Sequence, residues 1–274
     1  MEENLLFTRT FLILGGMLLL TTITARINKA YETSIEFLVT ISGAFISLFV
    51  IYAMGDQFPA NIIAVAVFSL FIGWSLGPTI AAIGEDFKFR KYLKDKLVVS
   101  KKIVIGDEAR TVYYYQSEPD KTFNKYSDEF RELALDFENN VLPHDRYNRE
   151  WQNIVFQALL GTTVAVYLTA AIVYFTDLDF GFLEPVLFIC LIALIVMKFL
   201  NVFYYRSRTR RLIQAYLGVI IFTFYLIFDF NRLEKAKALG DESWSTAIDI
   251  AVNIYLDLIN LFLDLLEILA AASD

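Results

Sequence analysis

Seven apolar runs, each about long enough to cross a lipid bilayer, constrain the fold of this chain more than any other feature. They occupy residues 8–27, 34–54, 59–83, 153–176, 181–204, 212–231 and 245–270. A helix needs about 20 mainly apolar residues to cross the hydrocarbon core, and these runs lack the alternation of a membrane-spanning strand. Apolar residues make up 57% of the chain, whereas an ordinary soluble domain has about 45–50%. The sequence therefore predicts an all-α integral membrane protein with seven transmembrane helices.

A charged segment, residues 84–151, separates the third run from the fourth. It holds 13 of the 24 Lys and Arg residues and 14 of the 31 Asp and Glu residues. A segment of this length is too long for a plain loop, so we expect it to fold outside the membrane. The predicted organisation is therefore residues 1–83 with helices 1–3, an insert at 84–151, and residues 152–274 with helices 4–7.

Local patterns in the insert indicate a small α+β unit. Leu97–Ile105 and Arg110–Gln116 flank Gly106-Asp107-Glu108, which predicts a strand, a turn and a second strand. Ser127-Asp128-Glu129 is typical of a helix N-terminus and is followed by apolar residues at helical spacing, with Pro143 as the stop signal. Those apolar residues are Phe130, Leu133, Leu135, Phe137 and Val141.

The basic residues predict the orientation of the chain. With seven spans, the insert, the C-terminus and the basic group Arg208, Arg210 and Arg211 share one side of the membrane. Lys and Arg are enriched in cytoplasmic loops. We therefore expect a multi-pass protein of the plasma (inner) membrane with its insert and C-terminus in the cytoplasm.

The composition excludes several classes of function. A net charge of −7 gives no basic surface for nucleic acid, so no nucleic-acid partner is expected. Cys190 and His144, each the single residue of its type, exclude an intramolecular disulfide and a thiolate- or histidine-rich metal site. No phosphate-binding, dinucleotide-binding or hydrolase motif is present in the sequence, so we expect no cofactor and no enzyme activity.

The last apolar run carries the most unusual residues for a membrane helix. Besides Asp249 and Glu267 it contains Asn253, Asp257, Asn260 and Asp264, whose spacing of 4, 3 and 4 places them on one helical stripe. Ionisable groups inside a membrane are costly and need protein or water beside them. This polar seam predicts either a helix enclosed by others or an amphipathic helix lying on the membrane surface.

Asp229 ends the apolar part of the sixth run. It can pair with Arg232 or Lys235 at the membrane edge, or with Asp257 on the next helix, since a short link around Gly240 makes the two helices antiparallel neighbours. Two close carboxylates in a low dielectric cannot both ionise readily, so such a pair would share one proton.

Other positions favour structural roles. Gly73 and Gly77 form G-x-x-x-G, which permits close helix contact. Lys198 lies near the end of the fifth run, where a lysine usually extends its ammonium toward the membrane surface.

At the sixth and seventh runs the sequence resembles the Bax inhibitor-1 family, also called the transmembrane BAX inhibitor motif family. Residues 216–233, ending IFDFNRL, are similar to its penultimate helix, and residues 253–269, NIYLDLINLFLDLLEIL, to its last helix. The resemblance covers 152–274 well and 1–83 weakly, and it leaves out the insert. It implies seven helices with the last one central.

The resemblance also implies a function. Family members are described as pH-sensitive calcium leak channels and, in eukaryotes, as suppressors of cell death, and the family's paired aspartates match Asp229 and Asp257. In bacterial-type members a basic residue near helices 2 and 3 locks onto this pair, but this chain has no Lys or Arg between Lys29 and Lys88. The lock is absent, moved or replaced here, and Lys198 is one candidate for it.

Three functions follow as hypotheses. The first is a cation leak, with calcium as the transported ion, in which Asp229 and Asp257 sense protons and contact the metal ion while Asn253, Asn260 and Asp264 extend the pathway. The second is a non-transporting scaffold or regulator that acts through its insert, whose partner the near-balanced charge does not identify. The third is an intramembrane aspartyl protease, which the sequence disfavours because Asp257 lies in YLDL rather than in a glycine-flanked motif.

Overall fold

The computed structural model describes residues 5–55, 57–105, 108–176, 178–205 and 207–273. Its regular elements follow one another in the order helix, helix, helix, sheet, then five further helices. They are α1 (Leu5–Ile27), α2 (Ser34–Met54), α3 (Ala60–Asp95), β1 (Val98–Ile105), β2 (Glu108–Tyr115), β3 (Thr122–Asn124), α4 (Asp128–Asn140), α5 (Asn148–Phe175), α6 (Leu183–Leu200), α7 (Arg208–Ala238) and α8 (Trp244–Ala272).

The chain divides into two compact units. The bundle unit comprises the chain up to Ala81 together with Gln157–Leu269, and the insert unit comprises Ala82–Phe156 together with the residues after Leu269. Helices α3 and α5 extend beyond the apolar runs that predicted them, to Asp95 and back to Asn148. Both ends of the charged segment 84–151 are therefore helical, because its first and last residues continue the neighbouring helices.

Six helices in the described residues are long and apolar enough to cross a membrane. They are α1, α2, α3, α5, α6 (with the turn that follows it) and α7. Helix α8 has 29 residues, which suffices to span a bilayer, and it carries four acidic residues. The protein is thus an all-α integral membrane protein with several apolar helices.

Helix α8 lies at the centre of the bundle unit. Residues of all six apolar helices lie against it: the side chains of Thr21, Tyr52, Phe68, Lys198 and Asp229, and the backbone of Gly161, which faces Leu265. Its residues from Ala247 to Tyr255 include several with no exposed surface. Such enclosure rules out the alternative of an amphipathic helix on the membrane surface, since a surface helix would expose one face.

Helices α1 and α3 pack closely through the G-x-x-x-G pair. A Cβ atom added at Gly73 would lie 1.9 Å from Thr24 Oγ1, and one at Gly77 would lie 2.0 Å from the Asn28 carbonyl oxygen. No larger residue fits without moving α1, so the predicted packing role of the two glycines is confirmed.

A buried polar contact ties α1 and α3 to α8. The Thr21 hydroxyl lies 2.5 Å from the Tyr255 hydroxyl and donates to the Ser69 carbonyl at 3.1 Å. Each hydroxyl thereby has a partner, which lowers the cost of placing it among apolar side chains.

The insert unit contains a three-stranded antiparallel sheet in the order β1-β2-β3, beside α4. Val98 pairs with Tyr115 and Ile105 with Glu108, so Glu108 belongs to a strand rather than to the predicted turn. The other two turn residues, Gly106 and Asp107, lie outside the described residues. The sequence did not predict β3, which has three residues.

Helix α4 begins as predicted, because the Ser127 hydroxyl accepts a hydrogen bond from the Phe130 backbone N–H at 3.3 Å. It ends at Asn140, before Pro143. The predicted apolar stripe is buried except for Leu135, which is 49% exposed. The reason is its position: Phe130, Leu133 and Phe137 share one face of the helix, whereas Leu135 lies on the opposite face.

Candidate functional site: a carboxylate pair and a charged seam on the central helix

The turn between α7 and α8 determines how the two helices that carry the predicted site lie relative to each other. Gly240 adopts a positive φ of 71°, its N–H bonds to the Lys237 carbonyl, and the Asp241 N–H bonds to the Ala236 carbonyl. This arrangement of bonds closes a helix and reverses the chain within a few residues. Helices α7 and α8 therefore run antiparallel, side by side, as predicted.

The structure brings Asp229 and Asp257 together. Their carboxyl groups lie within hydrogen-bonding reach of each other, and the two residues are only 2% and 7% exposed. The Oδ2 atom of each has no hydrogen-bond partner among the described residues. A carboxylate only accepts hydrogen bonds, so a hydrogen bond between these two groups requires a proton on one of them.

The two bases that could have paired with Asp229 bind other acids instead. Arg232 donates to Asp249 at 2.5 Å, and Lys235 donates to Asp179 at 2.5 Å. The Lys235 ammonium, together with the Gly181 N–H, lowers the pKa of Asp179, in the connection before α6, to about 2.

Arg232 and Asp249 are a pair that the sequence could have indicated. They stand eight and nine residues from Gly240, so an antiparallel arrangement brings them opposite each other. Arg232 is nevertheless close enough to Asp229 to stabilise its negative charge. A charged pair thus lies beside the carboxylate pair.

The amides of the seam are less enclosed than its acids. Asn253 and Asn260 are half-buried. Asn253 donates weakly to Asp249 and lies 3.4 Å from the Tyr52 hydroxyl, and Asn260 donates to the carbonyl of Leu256 at 2.8 Å. The side-chain oxygen of Asn260 is thereby left to accept other partners, whereas Asn253 links α8 to α2.

Asp264, the last member of the seam, has a charged partner. Lys198 of α6 donates to its Oδ1 atom at 2.9 Å. The other oxygen, Oδ2, lies against Gly218 of α7, where an added Cβ would stand 1.9 Å away. Lys198 therefore neither points only to solvent nor reaches the Asp229–Asp257 pair, and the sequence carried no signal for this pairing.

The same end of α8 carries a second ion pair. Glu267 pairs with Arg211 of α7. Together with the Lys198–Asp264 pair, it makes this end of the seam rich in fixed charges of both signs.

No group of three or more His, Cys, Asp or Glu side chains that could hold a metal occurs in the described part of the chain. Asp229 and Asp257 themselves offer carboxylate oxygens, the ligand type that hard cations such as calcium take in proteins.

Comparison with known proteins identifies the half of the chain that carries this site. Residues 147–274 match the family model described as "Inhibitor of apoptosis-promoting Bax1". Residues 147–274 belong to the Bax inhibitor-1 family. Asp229, Asp257 and the whole polar seam lie within the matched segment, and most of the insert lies before it.

Several individual proteins are similar to part of this chain. Protein LIFEGUARD 4 of Arabidopsis thaliana is 35% identical over 122 residues, which cover 43% of this chain and 47% of that protein. Protein LIFEGUARD 2 of the same plant is 38% identical over 93 residues, or 34% of this chain and 37% of that protein. An uncharacterized protein of Campylobacter jejuni is 34% identical over 116 residues, or 42% and 47%. The chain thus matches about half the length of these three relatives, or less.

Proposed function

We propose that this protein is a cation leak channel of the membrane, with calcium as the favoured ion, whose opening is controlled by a proton shared between Asp229 and Asp257. The observation that carries the proposal is that these two buried carboxyl groups, on adjacent helices, lie close enough to form a hydrogen bond. Such a bond needs a proton, so it couples the packing of α7 against α8 to pH.

The direction of the pH response follows from charge. At low pH the shared proton holds the two carboxyl groups together and keeps α7 against α8. As the pH rises, the proton leaves, and two negative charges in a low dielectric repel each other. Repulsion separates the helices and exposes the seam, so flux increases with pH.

The chemistry of the seam suits a hard cation. Carboxylate and amide oxygens are the ligands that calcium prefers in proteins. Asn253 and Asn260, about one turn on either side of Asp257, are half-buried and supply amide oxygens. Asp264 continues the line, but with Lys198 on one of its oxygens.

We also propose that the insert unit and the C-terminus are cytoplasmic, in a protein of the plasma (inner) membrane. The support is that 13 of the 24 Lys and Arg residues lie in the insert and that Arg208, Arg210 and Arg211 lie on the same side.

A scaffold or regulator that transports nothing is the second candidate function. One observation favours it: the insert unit has a hydrophobic core of its own, formed by residues such as Tyr92, Val98 and Phe137. A unit with its own core can present a stable surface to a soluble partner. Intramembrane proteolysis is the third, because paired aspartates can also activate water.

Calcium entry into liposomes that contain the purified protein separates these functions. Flux is measured across roughly pH 5–8, the interval in which buried carboxylic acids commonly titrate. Asp257→Asn should reduce flux, since it removes a charge from the seam. Asp229→Asn should alter the pH dependence more than the maximal flux, since it breaks the shared-proton pair but leaves Asp257.

Asp120→Asn, at an exposed position of the insert unit, is the matched control and should behave as wild type. If both site variants keep the wild-type pH profile and amplitude, the pair does not control flux. Absence of flux in every variant would favour the scaffold, and cleavage of a membrane-embedded peptide that both site variants abolish would favour the protease.

A further inference from the structure

The pair formed by Lys198 and Asp264 takes no part in the shared-proton mechanism. Asp264 is two helical turns from Asp257 on the same stripe of α8, so it would be the next acidic position that a cation meets along the seam. Its side chain is 5% exposed, and its Oδ1 atom accepts a hydrogen bond from the Lys198 ammonium at 2.9 Å.

The carboxylate of Asp264 lies in a space between α8 and α7. Gly218 on α7 leaves the space that the Oδ2 atom of Asp264 occupies. That oxygen has no hydrogen-bond partner in the described ranges of the chain. A buried carboxylate with one unsatisfied oxygen retains the capacity to bind a second positive group.

The end of α6 is built so that Lys198 faces α8. Immediately after α6 the backbone forms a π-helical turn, Asn201–Tyr205, a feature that is frequent at functional sites. The Asn201 side chain bonds both the N–H and the carbonyl of Ser207, and the Gln214 amide donates to the Met197 carbonyl. These contacts fix the end of α6 against the start of α7, next to Lys198.

The ammonium group is not fully enclosed by protein. The Lys198 side chain is 40% exposed and its Nζ lies 5.9 Å from the centre of the Phe222 ring. A lysine has a flexible stem and a compact charge, so this group can leave Asp264 without disturbing the backbone.

We propose that the Lys198 ammonium is a tethered competitor of the transported cation: it occupies on Asp264 a cation site of the seam and thereby limits flux. This role presupposes the cation pathway proposed above and adds to it a determinant of conductance that is separate from the Asp229–Asp257 pair. Removing the ammonium should free the carboxylate for calcium, since two cations compete for one anionic site.

Chemical modification provides the sharpest test. The variant Lys198→Cys, in a Cys190→Ser background, removes the charge, and aminoethyl methanethiosulfonate then restores an ammonium on a stem of similar length. Methyl methanethiosulfonate adds a neutral group instead and is the matched control. We expect calcium flux in liposomes to rise roughly fivefold or more in the variant, at the lower end of usual coupling between sites.

The mixed disulfide formed with aminoethyl methanethiosulfonate should return the flux to the level of the Lys198-containing protein, and the one formed with methyl methanethiosulfonate should not. Lys198→Arg should resemble wild type, since it keeps a cation on Asp264, and Lys198→Cys combined with Asp264→Asn should show no rise. An unchanged flux in the cysteine variant, or equal effects of the two reagents, would overturn the proposed competition, provided that Asp257→Asn still reduces wild-type flux.

A binding measurement keeps this inference separable from the channel itself. Calcium that binds only the folded protein raises its thermal midpoint in detergent. Lys198→Cys should gain a calcium-dependent rise that wild type and the Asp264→Asn double variant lack, even if no variant conducts. Absence of this rise refutes the tethered cation. If the cysteine variant does not fold, Lys198→Gln, whose amide can still donate to Asp264, should show the same rise.

Discussion

Substituting Gly218 by alanine should destabilise the bundle unit through Asp264. The added Cβ would lie 1.9 Å from Oδ2 and 2.8 Å from Cγ of Asp264, which is closer than atoms can approach. Asp264 must therefore move, and its 2.9 Å bond to Lys198 is lost or lengthened. The alternative is a shift of α7 away from α8.

The size of the effect can be assembled from its parts. Losing a hydrogen bond to a charged group costs about 1.5–3 kcal/mol, and overpacking a filled site costs about 1–3 kcal/mol. Alanine is better than glycine inside a helix by about 1 kcal/mol, which offsets part of this cost. The net loss of unfolding free energy is about 1.5–5 kcal/mol, or a fall of roughly 3 °C or more in thermal midpoint at about 2–4 °C per kcal/mol.

The assay is thermal unfolding of the purified protein in detergent, followed by loss of the monodisperse species. Gly16→Ala is the matched control, since no atom lies within 4 Å of its added Cβ, and it should not lower the midpoint. In an Asp264→Ala background the Gly218→Ala penalty should shrink, because the clashing carboxylate is gone. Equal midpoints for the two alanine variants in the wild-type background would refute this reasoning.

Two further predictions concern the insert unit. The Tyr92 hydroxyl, assisted by Asn140 and Lys96, lowers the pKa of Asp136 to about 2, below the value of about 3.9 in an unfolded chain; the resulting stability is complete above about pH 4 and disappears as the pH falls toward about 2. Asp136→Asn should therefore lower the thermal midpoint at neutral pH and converge with wild type in acid. Unfolding is followed by the fluorescence of Trp151 in a chain without its other tryptophans. A difference that does not change with pH would contradict this. A cysteine at the exposed position Ser117, in a Cys190→Ser background, should resist membrane-impermeant thiol reagents in intact cells and react after permeabilisation, whereas labelling of intact cells would reverse the proposed orientation.

The placement of the helices was largely predictable from the sequence. Apolar length, capping residues and the turn at Gly240 act between neighbours in the chain, so they can be recognised in one dimension. The spacing of Asn253, Asp257, Asn260 and Asp264 placed them on one stripe of α8 for the same reason. The ends of α3 and α5 were less predictable, because a helix can continue past its apolar run once its charged residues reach water.

The partners of the charged groups were decided by tertiary structure. Arg232 binds Asp249 rather than Asp229, and Lys198 binds Asp264, a residue 66 positions away on a helix that is not its neighbour in sequence. Which acid a base reaches depends on helix register and on small features such as the space left by Gly218. The sequence by itself determined where the membrane helices and their buried acids lie, whereas only packing in three dimensions determined which charges neutralise one another, because electrostatic attraction depends on distance in space rather than along the chain.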